Sequence, residues 1–146
     1  MFIPRATQAD YEGVIKQATD VNMNMLRIWG GGFFENDLFY ELCDQNGLLV
    51  WQDFMFACAM YPSDEAFINN VRQETIDNIK RLRNHPCIAL WCGNNENLIG
   101  WNDWNWQKPY SKETAAQVWF DYEKLFHQML PEVVNQYDEQ RFYWPS

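Results

Sequence analysis

The sequence predicts an α/β fold in which short buried strands are joined by amphipathic helices. Two observations carry this. Apolar runs at Met25–Trp29, Leu48–Trp51 and Ile88–Cys92 alternate with segments whose apolar residues recur at helical spacing, and each run leads into a loop. The length agrees, since 146 residues with 47% hydrophobic and 21% charged content suit one globular unit. Such alternation implies parallel strands with right-handed crossovers, either in a doubly wound sheet or in part of an eightfold barrel.

The elements follow in order. A helix from about Gln8 to Asp20 opens on the capping-box pattern Thr7-Gln8-Ala9-Asp10 and aligns Tyr11, Val14, Ile15, Ala18 and Val21 on one face. Met25–Trp29 is the first strand, expected to be buried, and it enters Gly30-Gly31-Gly32, a loop expected to need unusual backbone angles. Asn36 or Asp37 can cap a second helix carrying Leu38, Phe39, Leu42 and Cys43, which Gly47 ends in a left-handed turn.

The second strand, Leu48–Trp51, begins at once. After a loop from Gln52 to Pro62, Ser63 is the expected cap of a third helix bearing Phe67, Ile68, Val71, Ile79 and Leu82. Lys80, Arg81 and Arg83 suit the negative end of its dipole, and Pro86 closes it. The third strand, Ile88–Cys92, leads into Gly93-Asn94-Asn95-Glu96 and a loop rich in Trp and Asn that runs to about Tyr110. A fourth helix spans about Thr114 to Gln136, and Phe142-Tyr143-Trp144 begins a further strand.

Composition narrows the function. Twenty Asp and Glu against eleven Lys and Arg give a net charge of −9, which repels phosphate backbones and excludes a nucleic-acid partner. No apolar run approaches the roughly 20 residues that span a bilayer, so no membrane partner is expected. Met1-Phe2-Ile3-Pro4-Arg5 lacks a signal peptide's basic start and apolar stretch. The chain is expected to be soluble and to be a piece cut from a longer protein. Its compartment, whether periplasm, lysosome or cytoplasm, is not encoded in these residues.

The four cysteines form no Cys-x-x-Cys pair, and their apolar neighbours mark them as structural thiols rather than metal ligands. Gly30-Gly31-Gly32 is followed by Phe33-Phe34 and lacks the dinucleotide-binding spacing. No cofactor and no metal are therefore expected. The 8 Trp, 7 Tyr and 10 Phe exceed what a core of this size needs, so some belong in a site.

In a barrel the site lies at the carboxyl ends of the strands. Arg27 and Trp29 end the first run, Asp53 follows the second, and Asn94, Asn95 and Glu96 follow the third. Charges, amides and an indole suit the hydroxyls of a sugar. Each has a plainer alternative. A Glu after a strand commonly caps a helix, Asn94 and Asn95 can support a turn, and Arg27 and Asp53 can pair with each other. Trp101, Trp104, Trp106 and Tyr110 can face a pyranose or cover an apolar end, while His85 and His127 need only positions at a helix end and within a helix.

Three strings carry a resemblance. Arg27-Ile28-Trp29-Gly30-Gly31-Gly32, Trp51-Gln52-Asp53-Phe54-Met55-Phe56-Ala57-Cys58-Ala59-Met60-Tyr61-Pro62 and the run from Arg83-Asn84-His85-Pro86 to Gly93-Asn94-Asn95-Glu96-Asn97 resemble the barrel of the β-mannosidases of glycoside hydrolase family 2. The order is the same from about Ile3 to Pro145. The resemblance implies a partial (β/α)8 TIM barrel, roughly strands 2 to 4 with flanking helices, and makes residues 1–146 one piece of a catalytic barrel without a second domain.

It further implies a retaining exo-β-mannosidase that removes terminal β-D-mannose from oligosaccharides or glycoproteins. The acid/base would end strand four and the nucleophile strand seven. Glu96 matches the acid/base, and a flank of Trp91 and other apolar groups would raise its pKa toward neutrality. Asn95 resembles the amide that contacts the sugar 2-hydroxyl and Trp29 a substrate-binding indole, with Arg27, Asp53 and Asn94 as further substrate-binding candidates.

Other family 2 activities on β-galactosides, β-glucuronides or β-glucosaminides are the near alternatives, and a non-catalytic carbohydrate-binding half barrel is the distant one. Glu113, Glu123, Glu132 and Glu139 belong at or near the fourth helix, so the nucleophile is expected beyond Ser146. The expected partners are a β-mannoside oligosaccharide and the remainder of the parent barrel. Alone, the chain should be weakly folded or self-associating, and inactive.

Overall fold

The computed structural model describes residues 6–146; Met1–Arg5, the stretch without signal-peptide features, lie outside the described residues. Among the described residues four parallel strands stand side by side in chain order: β1 (Met25–Ile28), β2 (Leu49–Asp53), β3 (Ile88–Cys92) and β4 (Phe142–Trp144). Helices fill the connections: α1 (Gln8–Asp20) precedes β1, α2 (Asp37–Asn46) and α3 (Glu65–Leu82) follow the first two strands, and α4 (Asn97–Asn102), α5 (Lys112–Tyr122) and α6 (Leu130–Tyr137) lie between β3 and β4. This order is consistent with part of an eightfold barrel.

The caps explain where helices begin. Thr7 and Asp10 form the reciprocal capping box of α1, and the Asn36 side chain accepts the Phe39 N–H of α2. Gly47, at φ +69°, ends α2. For α3 the cap is Asp64 and not Ser63: the Asp64 carboxylate accepts the Phe67 N–H at 3.0 Å, while the Ser63 hydroxyl donates to Asp121 at 2.7 Å.

The expected single helix from Thr114 to Gln136 is a longer rod, begun by Ser111 and interrupted by a π-helical segment at Glu123–Met129. Pro131 supplies the reason. It has no N–H for the carbonyl four residues back, and the wider turn before it, with Leu130 N–H bonded to the Leu125 carbonyl, absorbs the mismatch. The short helix α4 stands where a loop was expected.

Strand register sorts the side chains onto two faces. Leu26, Val50, Gln52, Trp91 and Tyr143 point toward the helices, where Tyr40, Ile79, Leu82, Leu125, Phe126 and Val133 close the core. The buried Gln52 is satisfied, accepting from the Tyr40 hydroxyl at 2.7 Å and donating to the Asp53 carbonyl. Met25, Arg27, Leu49, Trp51, Leu90, Phe142 and Trp144 share the opposite face, and much of it is open to solvent. β1 is therefore not the buried strand the sequence suggests. Among the described residues it pairs only with β2, and its exposed residues Met25 and Arg27 lie on the uncovered face.

Candidate active site

At the carboxyl end of the sheet, β2 and β3 stand in register through Asp53 and Cys92, so the residues that follow them emerge side by side. The segment after β2 continues the pairing. Asn95 N–H donates to the Phe56 carbonyl and Cys58 N–H to the Asn95 carbonyl, each at 3.0 Å, making a parallel bridge between Ala57 and Asn95. The loop leaving β1 lies against the same segment. A Cβ on Gly30 would strike the backbone carbonyls of Phe54 and Phe56, so close approach is what requires glycine there. Unusual φ is not the reason, since Gly47 is the positive-φ glycine among the described residues.

Glu96 is exposed and sits in the left-handed region at φ +72°, which costs a non-glycine residue about 1–2 kcal/mol. It occupies the N-cap position of α4, yet its side chain makes no capping hydrogen bond. Asn94 performs that task, its Oδ1 accepting the Asn97 N–H at 3.1 Å. The capping alternative for Glu96 is thus ruled out, and its carboxylate stays available. Its neighbour is Cys58, whose Sγ donates to Glu96 Oε2 at 3.3 Å.

Cys58 corrects the expectation that all four thiols are buried and structural. It is exposed, at φ +55°, and the hydrogen bond to Glu96 raises its thiol pKa. Cys43, Cys87 and Cys92 are buried as expected, and burial pushes Cys43 and Cys92 up to about 12.

Asp53 has no exposed surface. Its oxygens accept from Arg27 Nη2 at 2.8 Å, the Gly30 N–H at 2.9 Å and Trp51 Nε1 at 2.8 Å. Arg27 and Asp53 therefore pair with each other, and the carboxylate has no solvent-facing oxygen for a sugar hydroxyl. Arg27 itself is partly open to the cleft; its guanidinium lies over the Trp51 ring at 5.2 Å and its Nη1 has no partner among the described residues.

Asn94 is also sealed. Its Nδ2 donates to the Pro145 carbonyl and its Oδ1 takes the Ser146 hydroxyl as well as the α4 cap, so it holds the loop and offers no atom to a ligand. Asn95 is almost buried, with Nδ2 at 3.7 Å from Cys58 Sγ, and lines the cleft.

These groups meet in an open cleft of about 590 Å³ whose wall includes Arg27, Trp51, Asn95, Glu96, Trp144 and Ser146. Trp29 is half exposed and rests across Gly31, outside that wall. Trp91, expected beside Glu96, faces the helices: it stacks on Phe54 with centroids 5.5 Å apart and donates to Asp138 at 2.8 Å. Trp51, Trp144 and Cys58 are site residues that sequence reasoning missed. Trp51 was within reach, because it lies two residues before Asp53 and alternation puts both on one face.

Asp44, His85 and Cys87 gather potential ligand atoms within 4.8 Å at the other end of β3. The Asp44 oxygens are already engaged by His85 Nδ1 at 2.6 Å and the Cys87 N–H at 2.8 Å, so the cluster is a hydrogen-bonded pair with a backbone anchor.

No family model matches the chain. Over 144 residues it is 43% identical to the β-mannosidase of Bos taurus, covering 96% of this chain and 16% of that protein. The crystal structure of the β-D-mannosidase from Dictyoglomus thermophilum superposes with a TM-score of 0.86 at 49% identity, covering 98% of this chain and 17% of that one. β-Glucuronidase 2 of Bacteroides uniformis superposes at 0.75 with 22% identity over 96% of this chain and 16% of that one, a likeness of fold alone. The chain thus spans 16% of the length of the curated mammalian relative.

Proposed function

The chain is a β-mannosidase homologue corresponding to a segment of a glycoside hydrolase family 2-like enzyme, and from that premise we propose that Glu96 is the general acid/base of a retaining exo-β-mannosidase. The observation that carries the reading is a carboxylate at a strand's carboxyl end, held in a strained backbone state, uncommitted to any cap, and open to a cleft of indoles and amides.

Glu96 donates a proton to the glycosidic oxygen as the bond to the leaving group breaks, then takes one from water as the second half-reaction frees the sugar. Asn95, beside it, offers its amide to the sugar 2-hydroxyl, a contact that strengthens as oxocarbenium character develops. Trp51 and Trp144 present indoles to the ring, and Arg27 presents N–H donors to hydroxyls.

A retaining mechanism needs a second carboxylate roughly 5–5.5 Å from the first. Asp53 does not serve, because its oxygens are occupied by Arg27, Gly30 and Trp51, and Asp103, which also lines the cleft, stands at the end of helix α4 and not at the end of a strand. The nucleophile comes from a part of the enzyme outside this segment. Identities of 43% and 49% to β-mannosidases, set against 22% to a β-glucuronidase, favour mannosides over the other family 2 substrates.

The test is Glu96→Gln in a full-length β-mannosidase carrying this segment. Its kcat/KM for a β-mannosyl disaccharide should fall by about 10²–10⁴-fold. Hydrolysis of β-mannosyl fluoride, whose leaving group needs no proton, should fall much less. Equal losses on the two substrates, or no loss, would remove the acid/base role.

A further inference from the structure

We propose that Cys58 is a positioning residue for Glu96: its thiol holds Oε2 of the carboxylate, so that the catalytic proton is carried on Oε1. The inference rests on the acid/base reading of Glu96 and deepens it.

Among the described residues the Glu96 carboxylate is hydrogen-bonded by one side chain, the Cys58 thiol, with Sγ 3.3 Å from Oε2. A carboxyl group that passes a proton must present one oxygen to the glycosidic bond, and free rotation of an exposed side chain would spread that oxygen over many positions. Tethering the other oxygen removes that freedom.

The backbone points to the same pair. Four non-glycine residues among the described ones have positive φ: Asn22, Cys58, Glu96 and Asn105. Asparagine tolerates this region because its short amide bonds its own backbone, a relief that cysteine and glutamate lack. The two costly left-handed residues, at φ +55° and φ +72°, are thus the two whose side chains meet.

The segment that carries the thiol is fixed on both sides. Toward the site, the bridge between Ala57 and Asn95 sets Cys58 against the residue that precedes Glu96. On the far side, the Tyr61 hydroxyl accepts the Ala57 N–H at 2.9 Å and donates to the Ala57 carbonyl at 3.1 Å. The Tyr61 ring meets Phe56 edge to face at 4.8 Å and stacks on Phe67 at 6.5 Å, which ties the segment to the helices. Cys58 Sγ also lies 3.7 Å from Asn95 Nδ2, so one sulfur touches both site side chains.

A thiol suits the task. It is a weak donor, able to guide a carboxylate without competing for its proton. The bond to Glu96 raises the thiol pKa, so Cys58 stays protonated and remains a donor. In the first half-reaction the proton on Oε1 passes to the glycosidic oxygen, the C–O bond breaks with its electron pair on that oxygen, and Oε2 keeps the S–H contact. In the second, attacking water returns a proton to Oε1. Cys58 neither gains nor loses one.

The test uses a full-length β-mannosidase carrying this segment and two substrates: β-1,4-mannobiose, whose leaving group needs a proton, and β-mannosyl fluoride, whose leaving group does not. Cys58→Ala should lower the mannobiose-to-fluoride ratio of kcat/KM values by about three- to tenfold. Cys58→Ser keeps a donor and should hold the ratio within about twofold of wild type. Cys58→Gly lacks the thiol but suits the left-handed backbone, so it should repeat the fall even where alanine weakens the fold. Ratios within about twofold of wild type in both Cys58→Ala and Cys58→Gly would mark a merely structural residue and overturn the inference. A serine variant that falls as far as alanine would overturn it too. Glu96→Gln, measured alongside, separates the two levels. If it collapses the ratio while the alanine and glycine variants do not, the positioning role alone fails; if it leaves the ratio unchanged, the acid/base reading fails and the positioning role with it.

Discussion

Arg27 and Asp53 clasp each other across the ends of β1 and β2, with Nη2 2.8 Å from Oδ2 and Nε 3.1 Å from Oδ1. The same carboxylate anchors the Gly30 N–H and the Trp51 indole, so one buried acid sets the positions of a guanidinium, a loop and a ring on the cleft wall. Removing its charge leaves several donors without a full partner. Asp53→Asn should destabilise the enzyme by about 3 kcal/mol. Arg27→Lys keeps a charge but loses the fork and should cost about 1 kcal/mol. Denaturant unfolding of the two variants gives the order; equal small losses would show that the pair does not hold the site.

The Asp44–His85 pair makes stability depend on pH. Burial acts to raise the Asp44 pKa, but the thiol and backbone N–H of Cys87 and the His85 ring outweigh it and hold the carboxyl below its usual range. A depressed folded-state pKa contributes stability that is present above the unfolded value of about 4 and is lost as pH falls through the folded value. Asp44→Asn should therefore cost about 1–3 kcal/mol at neutral pH. Its difference from wild type should shrink below about pH 4, as read by thermal unfolding at a series of pH values. A gap that stays constant with pH would contradict this.

Two glycines should respond to alanine in opposite directions. Gly13 lies within α1 with nothing near the place a Cβ would take, so Gly13→Ala should stabilise by about 0.5–1 kcal/mol. Gly30→Ala would drive a methyl into two backbone carbonyls and should destabilise by about 1–3 kcal/mol, with loss of activity as the β1 exit loop shifts. Parallel unfolding curves and rate measurements decide both.

The 146-residue chain studied by itself should self-associate and fail to hydrolyse an aryl β-mannoside. Met25, Leu49, Phe142 and Trp144 leave apolar surface open on one face of the sheet, and the proposed mechanism needs a second carboxylate that Asp53 does not supply. Sedimentation at several concentrations should show mass rising with concentration. Clear hydrolysis by the purified chain would refute the assignment of the nucleophile to another part of the enzyme.

The sequence by itself determined the alternation of strands and helices, the Thr7 cap, a second cap at Asn36 or Asp37, the Gly47 stop and the span Ile88–Cys92. These are local matters: a cap or a helical face is settled by residues within about four positions of each other. Competition between adjacent candidates already blurs it, as Ser63 and Asp64 show.

Tertiary structure alone decided the rest. Cys58 meets Glu96 across 38 positions and Arg27 meets Asp53 across 26, distances along the chain that only strand register can close. Register also decided that Trp51 faces the cleft while Trp91 faces the helices, and that Gly30 is needed for a close approach. The physical reason is the same in each case. A side chain's neighbours within a turn are written in its own segment, but its neighbours across the sheet depend on how separate strands align, and a shift of one residue would turn each of them to the other face.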